Sequence, residues 1–198
     1  MPRQPDPGTE ERILNAAKQL WQKGGEEALT MRAIARIAGT DTPTVYRRFK
    51  NRHDIVLALV RRVQQDIVRA LQSSRSPEET CVRYIEFASV HPHEYNLFYA
   101  CTNELWPSVR ARGHSAQWNS IPMVALIREQ LAERLGGSVA EQTRLSLALW
   151  ALAHGTATLL ISKGVPAQQV ASLRRAFAAA LDTLVDRRIP ADSDLWLR

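Results

Sequence analysis

The chain has 198 residues, with 26 lysines and arginines against 20 aspartates and glutamates, so its formal net charge is +6. Hydrophobic residues make up 45% of the sequence and charged residues 23%, which indicates a globular chain and excludes disordered, fibrous and collagen-like proteins. Two cysteines, Cys81 and Cys101, are too few for a disulfide framework, and we expect both to be reduced thiols within helices. Residues 1–12 lack the apolar segment of a secretory signal, which predicts a cytoplasmic protein.

The positive charge is concentrated near the N-terminus. Residues 1–62 hold 12 basic against 7 acidic side chains, whereas residues 63–198 hold 14 against 13. Within residues 30–52 the single acidic residue is Asp41, and the six basic residues are Arg32, Arg36, Arg47, Arg48, Lys50 and Arg52. A concentrated basic surface favours a polyanion as partner, although a solvated basic face has the same composition.

Four helices are predicted in the first third of the chain. Their expected limits are Thr9 to Gly25, Thr30 to Gly39, Asp41 or Thr42 to Phe49, and Asn51 to about Ser73. Thr and Asp side chains are good N-caps, and glycine ends a helix in the left-handed conformation. Pro43 is compatible with the first turn of the third helix, where no intrahelical N–H donor is needed.

The rest of the chain also has helical spacing. Further helices are predicted from Pro77 to the His91-Pro92-His93 step, from about Val124 to Leu135, over residues 140–161, and over residues 167–187, with a loop near residues 106–113. The uncharged run at residues 145–162 approaches the length of a membrane span, but its serine, threonine and histidine residues favour a buried core helix. Since no segment has the period of a strand, we expect an all-α fold.

The second and third helices form a helix-turn-helix pattern around Gly39. A small residue, Ala35, allows the two helices to approach, and Gly39 accepts a left-handed turn without steric cost. A purely structural helical hairpin has the same spacing. The basic excess lies on the same residues, however, and this coincidence favours DNA binding.

In a helix-turn-helix unit the second helix enters the major groove with its N-terminal residues towards the base edges. This arrangement brings Thr42, Pro43 and Thr44 near the bases. Side chains expected at phosphate oxygens are those of Thr30, Arg32, Tyr46, Arg47 and Lys50. Alternatively, Tyr46 is a half-buried core aromatic, and Arg36 and Arg52 are most simply solvated charges.

Residues 13–57 resemble the DNA-binding domain of TetR-family transcriptional regulators. The resemblance is carried by TMRAIA at residues 30–35 and AGTDTPTVYRRFKNR at residues 38–52, although Asp41 stands where the family usually has Ser or Asn. A second segment, LWALAHG at residues 149–155, resembles the Trp, His, Gly pattern of one class of TetR-family C-terminal domains. The resemblance implies a helix-turn-helix DNA-binding domain at residues 1–53, with its N-terminal arm, and a larger helical effector-binding and dimerisation domain at residues 54–198.

The resemblance further implies a homodimer built from the helices near residues 140–163 and 167–187, which binds a palindromic operator. It also implies a pocket for a small apolar or aromatic effector that releases a repressor from DNA. The aromatic and neighbouring residues expected to line this pocket are Tyr84, Phe87, His91, Tyr95, Phe98, Trp106, Trp118 and Met123. Each of these residues is otherwise explained as ordinary core.

Two other classes of protein are weighed against a DNA-binding regulator. An enzyme is disfavoured because the chain lacks the common nucleophile, dinucleotide, phosphate-loop and zinc motifs, so we expect no catalytic residues, cofactor or metal. The pair His91 and His93 is explained more simply by an exposed turn than by a metal site. A helical ligand-binding or scaffold protein gives no reason for the basic residues to concentrate at 30–52. His154 is most simply a hydrogen-bonded core residue, and Gly155 suggests close approach of another backbone.

Overall fold

The computed structural model describes residues 8–105, 121–162 and 165–186, and within these ranges the chain is helical with no β-strand. The predicted all-α class is therefore confirmed. The helices are α1 (Gly8–Gly24), α2 (Met31–Ile37), α3 (Thr42–Arg48), α4 (Arg52–Leu71), α5 (Pro77–Val90), α6 (Pro92–Leu105), α7 (Pro122–Leu135), α8 (Thr143–Ile161) and α9 (Ala167–Asp186). The predicted loop at residues 106–113 lies outside the described residues.

Most of the predicted signals at the helix ends are confirmed. Helix α1 ends at Gly24, and Gly25 takes a positive φ of 61°, as the glycine pair predicted. The prediction for Thr9 was wrong, because this residue lies within the first turn of α1 and its hydroxyl accepts a hydrogen bond from Arg12 (3.1 Å). Ser76 provides the N-cap of α5 through the backbone N–H of Glu79 (3.2 Å).

The described residues form two compact units. Residues 8–65 and 93–105 belong to the first, and residues 66–92, 121–162 and 165–186 belong to the second. Helix α4 thus begins in the first unit and ends in the second. The predicted boundary at residue 53 stays a prediction.

In the first unit, α2 packs on α1 and α3 packs on α2. Most of the apolar positions that defined the predicted stripes are buried, among them Ile13, Ala17, Leu20, Ile34, Val45, Phe49, Val56 and Leu59. Trp21 and Ile37 are only partly buried. Helix α6 is joined to α1 by polar contacts: the carboxylate of Glu94 lies 3.1 Å from Nζ of Lys18 and accepts a hydrogen bond from Gln22 (2.7 Å). Because Glu94 is itself buried, this small network is part of the unit's core.

In the second unit, α8 packs against α5, α7 and α9, and α5 also packs against α7. A buried polar link joins these helices, since the Thr80 hydroxyl donates to Oε1 of Gln130 (2.9 Å) and Nε2 of Gln130 donates to the backbone carbonyl of Ser74 (3.1 Å). Cys81 is buried beside this link, and its burial raises the pKa of the thiol to about 12. Such a thiol stays protonated and unreactive.

Helix α8 is, within the described residues, the one helix whose length and mean hydropathy of 1.3 would allow it to span a bilayer. Core helices of soluble proteins meet the same criterion. Here α8 contacts three other helices and buries the polar side chains of Ser146 and Thr156. These contacts are those of the core helix that the sequence predicted.

Candidate nucleic-acid interface

The turn between α2 and α3 is fixed by two side-chain caps and one glycine. The hydroxyl of Thr30 accepts a hydrogen bond from the backbone N–H of Ala33 (3.1 Å), which caps α2. The carboxylate of Asp41 accepts one from the backbone N–H of Thr44 (2.7 Å), which caps α3. Gly39 lies between them with a φ of 65°, a conformation that costs other residues about 1 to 2 kcal/mol. The predicted helix-turn-helix is thereby formed.

The residues predicted to contact DNA lie at the start of α2, on α3 and just after it. Six of them are exposed and two are partly exposed; the exposed ones are Thr30, Arg32, Pro43, Tyr46, Arg47 and Lys50, and the partly exposed ones are Thr42 and Thr44. Val45, on the opposite side of α3, is fully buried in the core. Tyr46 is 53% exposed, which agrees both with a contact to DNA and with the alternative of a half-buried aromatic, so its role stays a prediction.

Asp41, Thr44 and Arg47 form a short network along α3. Arg47 donates a hydrogen bond to the Thr44 hydroxyl, and hydrogen bonds from the Thr44 side chain and backbone lower the pKa of Asp41. The charge of Arg47 lowers this pKa further. Asp41 is therefore an exposed, ionised carboxylate held in a fixed position at the start of α3.

The chain that leaves α3 is held by a second pair of caps. The Asn51 side chain accepts a hydrogen bond from the backbone N–H of Asp54 (2.9 Å), and Asp54 accepts one from the backbone N–H of Lys50 (3.1 Å). The predicted capping box is therefore present, with Lys50 as the donor to Asp54. These contacts fix the backbone from which Lys50 projects.

Arg52 is paired within the chain. Its guanidinium donates to Oε1 of Glu26, at 2.8 Å, in the 3-10 turn that follows α1. The sequence pattern assigns Arg52 to solvent, and it misses this partner 26 residues away because no local spacing indicates it. The charge of Arg52 is therefore compensated by Glu26.

The predicted effector residues are divided between the two units. Tyr84, Phe87, His91 and Met123 belong to the second unit, and Tyr95 and Phe98 belong to the first. All except His91 are buried, and the rings of Phe87 and His91 lie 4.9 Å apart. Trp106 and Trp118 lie outside the described residues. The described contacts do not gather this set into one pocket, and its role stays a prediction.

Tyr84 contacts a residue outside the predicted set. Its phenolic oxygen lies 3.1 Å from Nδ1 of His154, and the His154 ring stacks on Trp150 with 5.3 Å between the ring centroids. Burial lowers the pKa of His154. The hydrogen bond expected of His154 is confirmed, but the residue is only partly buried and not fully inside the core. Its partner, 70 residues away in sequence, does not follow from spacing.

Gly155 has no atom within 4 Å of the position that a Cβ would occupy, and the residue is exposed. Among the residues that the structure describes, the expectation that another backbone approaches it closely is therefore wrong. The described residues also include no group of three or more histidine, cysteine, aspartate or glutamate side chains placed to hold a metal ion. His93 is exposed and His91 partly so, which agrees with the exposed turn expected there.

Comparison with known protein families identifies the class of this fold. The family described as "Bacterial regulatory proteins, tetR family" matches residues 13–59, and "Tetracyclin repressor-like, C-terminal domain" matches residues 78–184. Together these matches define a helix-turn-helix transcription regulator with a helical ligand-binding C-terminal domain. The chain belongs to the TetR family.

Solved structures have the same fold over nearly the whole chain. A protein of unknown function from Rhodococcus sp. RHA1 has a TM-score of 0.66 at 21% identity, covering 93% of this chain and 96% of its own. A TetR-like transcriptional regulator from the same organism has a TM-score of 0.60 at 19% identity, with coverages of 93% and 97%. Salmonella enterica GusR has a TM-score of 0.61 at 16% identity, with coverages of 92% and 96%. A search of curated proteins found no match.

Proposed function

We propose that this protein is a cytoplasmic, homodimeric transcriptional repressor that binds a palindromic operator and is released by a small apolar or aromatic effector. Residues 1–53 form the DNA-binding domain, and residues 54–198 bind the effector and the second subunit. TetR-family regulators bind DNA, dimerise and respond to ligands. We expect no enzymatic activity, cofactor or metal requirement.

The observation that carries this proposal is the exposed surface of α2 and α3. Arg32, Tyr46, Arg47 and Lys50 are exposed, while Val45 is fully buried on the other side of α3. The exposed basic and hydrogen-bonding side chains thus share one surface with the start of α3. Such a surface suits docking on DNA, because contacts to the phosphate backbone set the register of the module.

Each exposed residue has a role in the proposed complex. Thr42, Pro43 and Thr44, at the start of α3, meet base edges in the major groove. Phosphate oxygens accept hydrogen bonds from Thr30, Arg32, Tyr46, Arg47 and Lys50, with help from the N-terminal dipole of α2 near Thr30. Arg52 is not among them because it is paired with Glu26.

The proposed dimer interface consists of α8 and α9, which expose apolar side chains to solvent. Ala151, Gly155, Thr158 and Leu159 of α8 are exposed at helical spacing, and Leu159 is 48% exposed. Gly155 lets a second helix approach closely at this face, since the space beside it is unfilled. In α9 the buried residues are Phe177, Leu181 and Val185, and much of the remaining helix is exposed.

A gel-shift assay at two salt concentrations tests the proposal. The probes are duplexes from the DNA that flanks the coding region, chosen for inverted repeats, with a scrambled duplex of equal composition as the control. Since a dimer with about eight phosphate contacts releases a similar number of counterions, its affinity should fall about 10⁴-fold between 50 and 200 mM salt. A helical scaffold protein or an enzyme would not shift the duplex at either concentration.

A further inference from the structure

Asp41 is the only acidic residue in the segment 30–52, which also contains six basic residues. It is exposed, and it lies at the start of the helix proposed to enter the major groove. A negative charge at that place is repelled by the phosphates, and the capping of α3 does not require it, because Asn and Ser cap helices about as well as Asp. The cap alone therefore does not account for the choice of a charged residue at this position.

The structure holds this carboxylate as a fixed acceptor. Its Oδ1 accepts the backbone N–H of Thr44 at 2.7 Å, and the Thr44 hydroxyl is in turn held by Arg47. A carboxylate that is fixed in this way and exposed to solvent can accept a further hydrogen bond from a donor group on a base edge. The major groove presents two such donors, the N4 amino group of cytosine and the N6 amino group of adenine.

We propose that the Asp41 carboxylate accepts a hydrogen bond from the N4 amino group of a cytosine in each operator half-site, so that Asp41 determines base specificity. Cytosine is favoured over adenine because adenine places its N7 acceptor beside the amino group, where it repels a carboxylate. Guanine and thymine present acceptors to the same position and are also rejected. This inference rests on the proposed docking of α3 in the major groove.

The test is selection of bound sequences from a randomised duplex library, using the full chain and two variants. Asp41→Asn keeps the cap and the Thr44 hydrogen bond but replaces the carboxylate with an amide, which pairs well with adenine. Asp41→Ser keeps a cap and removes both kinds of base contact. Thermal unfolding is measured for each variant, and the serine variant carries the test if the asparagine variant does not fold.

The wild-type protein should select cytosine at one symmetric position of each half-site by about tenfold or more over the other bases. Asp41→Asn should shift the preference at that position towards adenine, and Asp41→Ser should leave it with little preference. Glu27→Gln is the matched control, because it removes one negative charge at an exposed position of the first unit, outside α2 and α3, and should retain the selection for cytosine.

Three results overturn the inference while leaving the proposed function intact: cytosine selected equally by the wild type and both Asp41 variants, adenine selected by the wild type, or Glu27→Gln altering the same position. In each case the protein still binds duplex DNA. Failure of the wild-type protein to enrich any duplex in dilute buffer contradicts the proposed function itself.

Discussion

At the scale of single residues, the DNA-binding surface combines two kinds of side chain. Tyr46 and Lys50 are exposed, and we assign them to phosphate oxygens. Thr44, in the first turn of α3, is assigned to base edges and is hydrogen-bonded to Asp41 and Arg47. Contacts to phosphates add affinity for every sequence, and contacts to base edges distinguish one sequence from another. Single substitutions can therefore separate the two.

We predict that Tyr46→Ala and Lys50→Ala weaken binding to the operator and to a scrambled duplex by a similar factor. Lys50→Ala should also reduce the salt dependence, because it removes one phosphate contact per subunit. Thr44→Ala should instead change the order of preference among single-base operator variants. Fluorescence anisotropy titrations at two salt concentrations measure both effects, and equal effects of all three changes on every duplex would contradict the division into phosphate-binding and base-reading residues.

His154 makes stability depend on pH. Burial lowers its pKa, so the folded protein binds a proton less readily than the unfolded chain, whose histidine has the ordinary pKa of 6.5. The free energy of unfolding should therefore fall as the pH drops through 6.5 and should level off below the folded pKa. In His154→Gln this part of the pH dependence should be absent. Urea unfolding at a series of pH values between about 5 and 8 measures the difference, and identical profiles would rule out the effect.

At the scale of helices, the contact between α1 and α6 depends on one buried carboxylate. Burial raises the pKa of Glu94. Hydrogen bonds from Lys18, from the backbone N–H of Glu94 itself and from Gln22, together with the charge of Lys18, outweigh this effect, and the net pKa is lowered. Since Lys18 is itself partly exposed, the pair lies at the edge of the core, and its loss is milder than that of a fully buried ion pair.

We predict that Glu94→Ala lowers the free energy of unfolding by about 1 to 3 kcal/mol at pH 7. The lowered pKa means that this stabilisation is present above the ordinary glutamate pKa of 4.5 and is lost as the pH falls through the folded value. The variant and the wild type should therefore converge in stability at acidic pH. Glu86→Ala, at an exposed position of α5, is the control and should change stability by less than about 0.5 kcal/mol at pH 7.

At the scale of the whole molecule, dimerisation links the two proposed activities, because a palindromic operator is read by two copies of α3. The exposed apolar face of α8 is the surface assigned to this contact. An unpaired charge buried there would cost several kcal/mol per subunit, enough to separate a dimer of ordinary stability.

Leu159→Glu should therefore convert the dimer to a monomer and weaken operator binding by two orders of magnitude or more. Val82→Glu is the matched control, since Val82 is 43% exposed on α5, which is not one of the two helices assigned to the interface. Analytical ultracentrifugation gives the assembly state, and circular dichroism checks that both variants are folded. A Leu159→Glu protein that remains dimeric would locate the interface elsewhere.

Much of the fold could be predicted because its signals are local. Thr30, Asp41 and Asn51 cap the helices that follow them, and Gly25 and Gly39 take the positive φ angles expected of them. Most apolar residues at helical spacing are buried as predicted, although Val82 of α5 is 43% exposed. The prediction for Thr9 failed because a threonine near the start of a helix serves equally well as a cap or as a residue of the first turn.

The sequence by itself determined most of the helices, the helix-turn-helix and the basic surface that it carries, since each depends on residues within a few positions of one another. Helix α6 (Pro92–Leu105) was not predicted. Tertiary structure alone decided which distant side chains meet: Glu94 with Lys18, Arg52 with Glu26, and Tyr84 with His154. Helical periodicity indicates which face of a helix is apolar. It does not indicate which other helix packs on that face, or how the two helices are shifted along their axes. The packing partner and this shift decide which polar side chains form hydrogen bonds, so these contacts are known only from the packed structure.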